Sequence, residues 1–250
     1  MLLPSHISII NLVIPISSIF WALGLIASLI LCYFHCCLRG FKVKQMFKIA
    51  LVGFLGALIG GRLGHVIQYW DHFLNYPLEA LYLHQGGMMY LAGLYGGLVA
   101  GLLYSRKHFK PLLILDLAAP SISIGHFFGR LGCFFYGCCY GSIASKNGLV
   151  LGYQFPGEEV LRYPTQLFSA IGLLILTFLL CWLYRKSIRE GSVFLAYLGL
   201  YSMMRFLVEF LRADERGSLL GIEFLSPSQV LSLVTIFIVV LAMALRARRS

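Results

Sequence analysis

Seven apolar runs, joined by loops of which every second one is rich in Lys and Arg, constrain this chain more than any other feature in it. They lie near 9–32, 49–69, 86–104, 112–135, 165–184, 193–211 and 230–245. About twenty helical residues cross the roughly 30 Å hydrocarbon layer of a bilayer, and most of these runs have that length. Composition agrees: 59% of residues are hydrophobic and 12% charged, about half the charged fraction of a typical soluble domain. The expected fold is an all-α polytopic membrane protein with about seven transmembrane helices in one domain covering 1–250.

Dense basic clusters fall in alternate loops: Arg39, Lys42, Lys44 and Lys48; Arg106, Lys107 and Lys110; Arg185, Lys186 and Arg189; and Arg246, Arg248 and Arg249. The positive-inside rule puts these loops in the cytoplasm, the N-terminus outside and the C-terminus cytoplasmic. The other loops carry Lys146, Arg162 and Arg216 mixed with acidic residues. The net charge of +10 is therefore read as topology signals and contacts with anionic membrane lipids, and no nucleic-acid partner is expected. No cleavable signal peptide is expected either, because the first run is too long for one and lacks a basic leader.

The stretch 129–141 ends the fourth run with Arg130, four glycines and the cysteines Cys133, Cys138 and Cys139. An arginine in an apolar segment is costly unless something binds it. Arg62, beside Gly60 and Gly61, and Arg205 repeat the feature in other runs. Guanidinium forks bind phosphate oxygens in pairs, so these segments point to one anionic, lipid-like ligand. Glu209 shares a helix face with Arg205, and Arg212 continues that stripe. The three cysteines admit several readings: a disulfide of Cys133 with Cys138 or Cys139, buried inert thiols, or a thiol-reactive or metal-ligating group. His126, two turns before Cys133 on the same face, is a candidate to activate a thiol, although a lone helical histidine is more often a hydrogen-bonded packing residue. Gly93, Gly96, Gly97 and Gly101 allow close helix packing. Tyr163, Pro164, Thr165 and Gln166 open the fifth run, with Gln166 able to hydrogen-bond a headgroup. No cofactor is expected and no metal site is assigned.

Taken together, these residues resemble the prolipoprotein diacylglyceryl transferase family. The landmarks are Gly60 to Gly64, Gly86-Gly87-Met88, Asp116 with Ala119-Pro120, Gly129-Arg130-Leu131-Gly132, Pro164-Thr165-Gln166-Leu167, Arg205-Phe206 with Glu209-Phe210 and Arg212, and Pro227-Ser228-Gln229. The resemblance implies a seven-span enzyme of the bacterial inner membrane. It moves the diacylglyceryl group of phosphatidylglycerol onto the lipobox cysteine of a secreted preprolipoprotein. Arg130, Arg205 and Glu209 are then the catalytic candidates, and Arg62, Gly141, Gln166 and Cys133 the lipid-binding ones. His126, Cys133, Cys138 and Cys139 remain thiol or redox candidates.

The chain also departs from the family pattern. The family usually has Asn at the positions of Cys133 and Tyr136, Glu at Cys138 and Ser169, Arg at Ser142, and His at Leu91 and Tyr163. Several arginines of the phosphate site are kept while the one at the position of Ser142 and several polar groups are not, which marks a divergent member. Two alternatives stand beside the main reading: a phospholipid-dependent transferase with another acceptor, and a thiol–disulfide membrane protein using Cys133, Cys138 and Cys139. The loop charges make a direct prediction. In single-cysteine labelling, a probe at Ser145 reacts with an outside-only reagent and one at Ser187 does not; the reverse pattern inverts the topology.

Overall fold

The computed structural model describes residues 6–9, 12–82, 89–106, 109–144, 152–186, 189–212 and 226–248. Among the described residues, eight α-helices carry the architecture: α1 (Ile16–Leu38), α2 (Val43–Gln68), α3 (Trp70–Asn75), α4 (Tyr90–Ser105), α5 (Pro111–Tyr136), α6 (Thr165–Lys186), α7 (Ser192–Glu209) and α8 (Pro227–Ala247). Six of them are long and apolar enough to cross a membrane. The outward side of α6 shows why water is not their solvent: Ile171, Ile175 and Phe178 are exposed while Leu173, Leu176 and Leu180 are buried. A helix apolar on both its inner and outer faces belongs in lipid.

The expected spans shift in two places. The run beginning at Ile9 is not helical throughout. His6–Ile9 (β1) and Leu12–Pro15 (β2) pair antiparallel, with Ile7 opposite Ile14, and α1 begins only after Pro15. β-branched residues favour strand, and proline, which lacks an N–H, suits a helix start better than its interior. The third span is shorter than expected: α4 has 16 residues, about 24 Å at 1.5 Å per residue. Gly86, Gly87 and Met88, placed at its start by the sequence, lie outside the described residues.

The chain divides into two compact units, one of residues 33–114 and one of residues 1–32 with 115–250. In the first, α2 and α4 pack backbone to backbone. A Cβ at Gly60 would stand 2.5 Å from the Ala92 carbonyl oxygen, and one at Gly96 2.5 Å from that of Gly56. The small-residue stripe Gly93, Gly96, Gly97 thus does what the sequence suggests, with Gly53, Gly56 and Gly60 as its counterpart. In lipid, such close approach supplies the packing that hydrophobicity cannot.

In the second unit, hydrogen bonds join the helices. Ser123 Oγ on α5 donates to the Leu173 carbonyl of α6, and Thr177 Oγ1 on α6 donates to Ser123 Oγ. Ser28 Oγ on α1 donates to the Ser121 carbonyl. The buried Asp116 on α5 takes the amides of Gly191 (2.6 Å) and Phe194 (2.9 Å), so its carboxylate caps the positive start of α7. The glycine packing is testable. Gly96→Ala should destabilise the protein by about 1–3 kcal/mol, the usual cost of overpacking. Gly101→Ala, whose new Cβ meets nothing closer than 3.8 Å, should be neutral or slightly stabilising. Thermal melting in detergent checks this, and equal losses would contradict the close-packing account.

Candidate functional site

The end of α5 is built by its last residues. The amide of Gly137 donates to the Phe134 carbonyl and that of Cys138 to the Cys133 carbonyl, both at 3.1 Å. This is the Schellman pattern, and it needs the left-handed φ of 78° that Gly137 supplies. Cys139, at φ 64°, turns the chain again. Two side chains from the start of α6 then pin the turn: Gln166 Nε2 donates to the Cys138 carbonyl (2.6 Å) and Thr165 Oγ1 to the Cys139 carbonyl (2.8 Å). Gln166 is fully buried, and its Oε1 has no hydrogen-bond partner among the described residues.

Gly141 marks the crossing of three segments. Its amide donates to the Tyr163 carbonyl, and the Ser142 amide donates to the Leu211 carbonyl just past α7, both at 2.8 Å. A side chain at position 141 would collide with the Leu211 carbonyl and come within 2.9 Å of Tyr163 and Thr165. Its glycine is thus explained by close backbone approach. The crossing ties the end of α5, the start of α6 and the end of α7 together, which places Arg212 opposite Gly141.

Charge gathers here. Arg205 Nη2 meets Glu209 at 2.6 Å, one turn on, and donates to Ser228 Oγ at 3.2 Å. The two side chains are only 14% and 5% exposed. Ser226 Oγ donates to the other Glu209 oxygen (2.9 Å) and closes a capping box with Gln229 at the start of α8. Arg205 Nη1 is buried with no hydrogen-bond partner among the described residues. The charges of Glu209, Arg212 and Arg130 all act on Arg205. Arg130 Nε donates to His126 Nε2 (3.3 Å), and the His126 ring lies against Tyr201. An Nε2 that accepts from a guanidinium is unprotonated, so His126 here orients Arg130.

Cys133, Cys138 and Cys139 are thiols, with no disulfide among them, and their sulfur atoms all lie within 4.8 Å of one another. Hydrogen bonds from Cys133 and Cys138, together with the Arg212 guanidinium, hold the Cys139 thiol below its usual range. Arg62 belongs to the other unit. Its Nε donates to the Ala80 carbonyl (2.8 Å), its Nη2 to the Glu79 carbonyl, and it lies over the Phe73 ring. Those partners account for its burial locally.

Residues outside the sequence-derived set also contribute. Ser226 and Ser228 complete the Arg205–Glu209 network, and the Ser-x-x-Gln spelling of 226–229 was a readable signal for the capping box. Glu158 accepts from Tyr140 Oη (2.6 Å) and Arg162 Nε (2.7 Å), and the Arg162 guanidinium lies over the Tyr140 ring. This triad, with Phe155 buried against Phe134, Tyr140 and Tyr153, stiffens the segment between α5 and α6.

Fold and site together define a multi-pass helical membrane protein that gathers guanidinium groups at the ends of apolar spans. A family model described as prolipoprotein diacylglyceryl transferase matches residues 4–245. A phosphatidylglycerol–prolipoprotein diacylglyceryl transferase of Clostridium tetani is 36% identical over 223 residues, 87% of this chain and 87% of that protein. A second such transferase, from Clostridium perfringens, is 31% identical over 217 residues, 84% of this chain and 82% of its own. One from Idiomarina loihiensis is 39% identical over 168 residues, covering 65% and 62%. The chain belongs to the prolipoprotein diacylglyceryl transferase family.

The Glu158 triad gives a pH prediction. Hydrogen bonds from Tyr140 and Arg162 lower the Glu158 carboxyl from its usual value. Its stabilisation is therefore present above the unfolded value of about 4.3 and lost as pH falls through the lower folded value. Protection against hydrogen exchange in 152–162, relative to the intrinsic rate, should persist at pH 5 and be lost as pH falls through the lowered Glu158 value. Glu158→Gln should lack that protection at pH 5 as at lower pH; equal protection in the two proteins at pH 5 would contradict the role.

Proposed function

We propose that this protein transfers the diacylglyceryl group of phosphatidylglycerol to the cysteine thiol of a prolipoprotein, as a single catalytic domain in the bacterial inner membrane. The chemistry is a displacement at a glyceryl carbon. The acceptor sulfur forms a C–S bond, the C–O bond to phosphate breaks, and its electron pair leaves with glycerol phosphate. The thiol proton ends on the departing phosphate ester. Such a reaction needs preorganised positive charge where the leaving phosphate gains its own.

The observation that carries this reading is the charge around Arg205. Two further guanidinium groups, Arg130 and Arg212, act on Arg205, whose carboxylate partner is Glu209. A cationic surplus at the end of apolar spans suits a phosphate. Arg205 and Arg130 are the phosphate-holding groups, and Glu209 orients Arg205 through their 2.6 Å pair. Gln166, with its amide nitrogen committed to the Cys138 carbonyl, and Gly141 support this site by fixing the turn beside it. Arg62, steadied by the Glu79 and Ala80 carbonyls of its own unit, is a lipid contact within that unit. The names of the relatives favour the prolipoprotein acceptor over a different acceptor or a thiol–disulfide role.

The test is transfer from labelled phosphatidylglycerol to a lipobox peptide. Arg130→Lys and Arg205→Lys should each lower turnover on the order of 10²–10³-fold, since an ammonium cannot reproduce the guanidinium fork. Glu209→Gln should cost less, because it misaligns Arg205 without removing it. Melting behaviour should be near wild type for both lysine variants. Near-normal transfer by both would overturn the cradle; no transfer by the wild-type protein to the peptide would overturn the acceptor.

A further inference from the structure

The three thiols meet because of backbone geometry. In a Schellman turn, the second residue past the helix packs against the third residue before its cap, and here these are Cys138 and Cys133. The left-handed φ of Cys139 folds the next side chain back toward the same point. A left-handed conformation at a residue other than glycine is uncommon and costs energy, and such strain concentrates at functional positions.

The geometry points to a metal site: Cys133, Cys138 and Cys139 together hold one soft, thiophilic cation, Zn²⁺ or Cu⁺, through three sulfur atoms. Sulfurs bound at about 2.3 Å to a common metal stand about 4 Å apart, so thiols already within 4.8 Å need little movement to close on it. The turn that carries them is held by the Gln166 and Thr165 side chains on the Cys138 and Cys139 carbonyls. A binding constellation gains from such fixed support. All three residues are half-buried, which leaves an ion access. An all-sulfur donor set selects Zn²⁺ or Cu⁺ over Mg²⁺ or Ca²⁺.

Charge balance favours the same assignment. Three thiolates around Zn²⁺ carry a net charge of −1, and around Cu⁺ −2. The Arg212 charge acts on Cys139, and the Arg130 charge acts on Cys133. Two guanidinium groups thus stand where the complex is negative. On binding, three S–H protons pass to solvent and three metal–sulfur bonds form, with no change in oxidation state. A disulfide would engage two of the sulfurs and leave the third without a task. The inference stands on these residues whatever acceptor the enzyme uses.

The test is an anaerobic titration of the reduced, metal-stripped full-length protein in detergent. Zn²⁺ and Cu⁺ are added separately against a competing chelator. The wild type should bind one equivalent more of at least one ion than Cys133→Ser/Cys138→Ser/Cys139→Ser, which keeps Cys32, Cys36, Cys37 and Cys181. Which ion binds names the occupant. Each single serine change should weaken that binding at least about 10-fold. X-ray absorption on the metal-loaded wild-type protein should count three sulfur neighbours, a readout independent of whether the variants fold. Equal stoichiometry and affinity in the wild type and the triple variant, or fewer than three sulfurs at the metal, would overturn the proposal. So would a disulfide between any two of the three in protein loaded and held without oxygen.

Discussion

A guanidinium inside an apolar helix must be met by acceptors, and Arg205 is where this protein meets that demand most fully. Placing an arginine at the centre of a membrane helix costs about 3 kcal/mol even when the chain can adapt around it. Glu209 supplies the opposite charge from the next turn, and Ser228 supplies an oxygen from α8. Ser226 holds the second Glu209 oxygen and starts α8 through its capping box. The end of α7 and the start of α8 are therefore joined by the groups that make the arginine tolerable. The same region receives the loop from α5 through Gly141 and Ser142. Neutralising one buried charge and positioning four helix ends are one arrangement.

Much of this was legible in the sequence because lipid imposes simple rules. Long apolar runs read as helices, and α2, α5, α6, α7 and α8 stand close to where those runs place them. The glycines at 93, 96 and 97 read correctly as packing residues, since close helix approach in lipid depends on small side chains. The start of α1 did not read correctly. Hydrophobicity alone does not distinguish a strand pair from the first turns of a helix, and Pro15 was the sign that the helix had not yet begun.

The site was half legible. Arginines in apolar runs stand out, and i,i+4 spacing correctly joined Arg205 to Glu209. Contacts between distant segments had no such signature. The crossing of Gly141 with Leu211 and Tyr163 depends on tertiary structure, as does the hold of Thr165 and Gln166 on the cysteine turn. Asp116 appears in the sequence as a lone acid in an apolar run, and only the fold shows it capping α7. The spacing of the cysteines left a disulfide, inert thiols and a reactive or metal-ligating group all open, and only the turn at 137–139 shows three thiols gathered at one point.

The central claim is that Arg130 and Arg205 serve one phosphate. A structure of the protein in a bilayer disc containing phosphatidylglycerol measures this most directly. The account predicts a lipid phosphate within hydrogen-bond distance, about 3 Å, of both guanidinium groups, with Arg205 Nη1 among the donors and the Arg205–Glu209 pair intact. A bound phosphate that neither arginine touches, or two guanidinium groups directed at separate lipids, would contradict it.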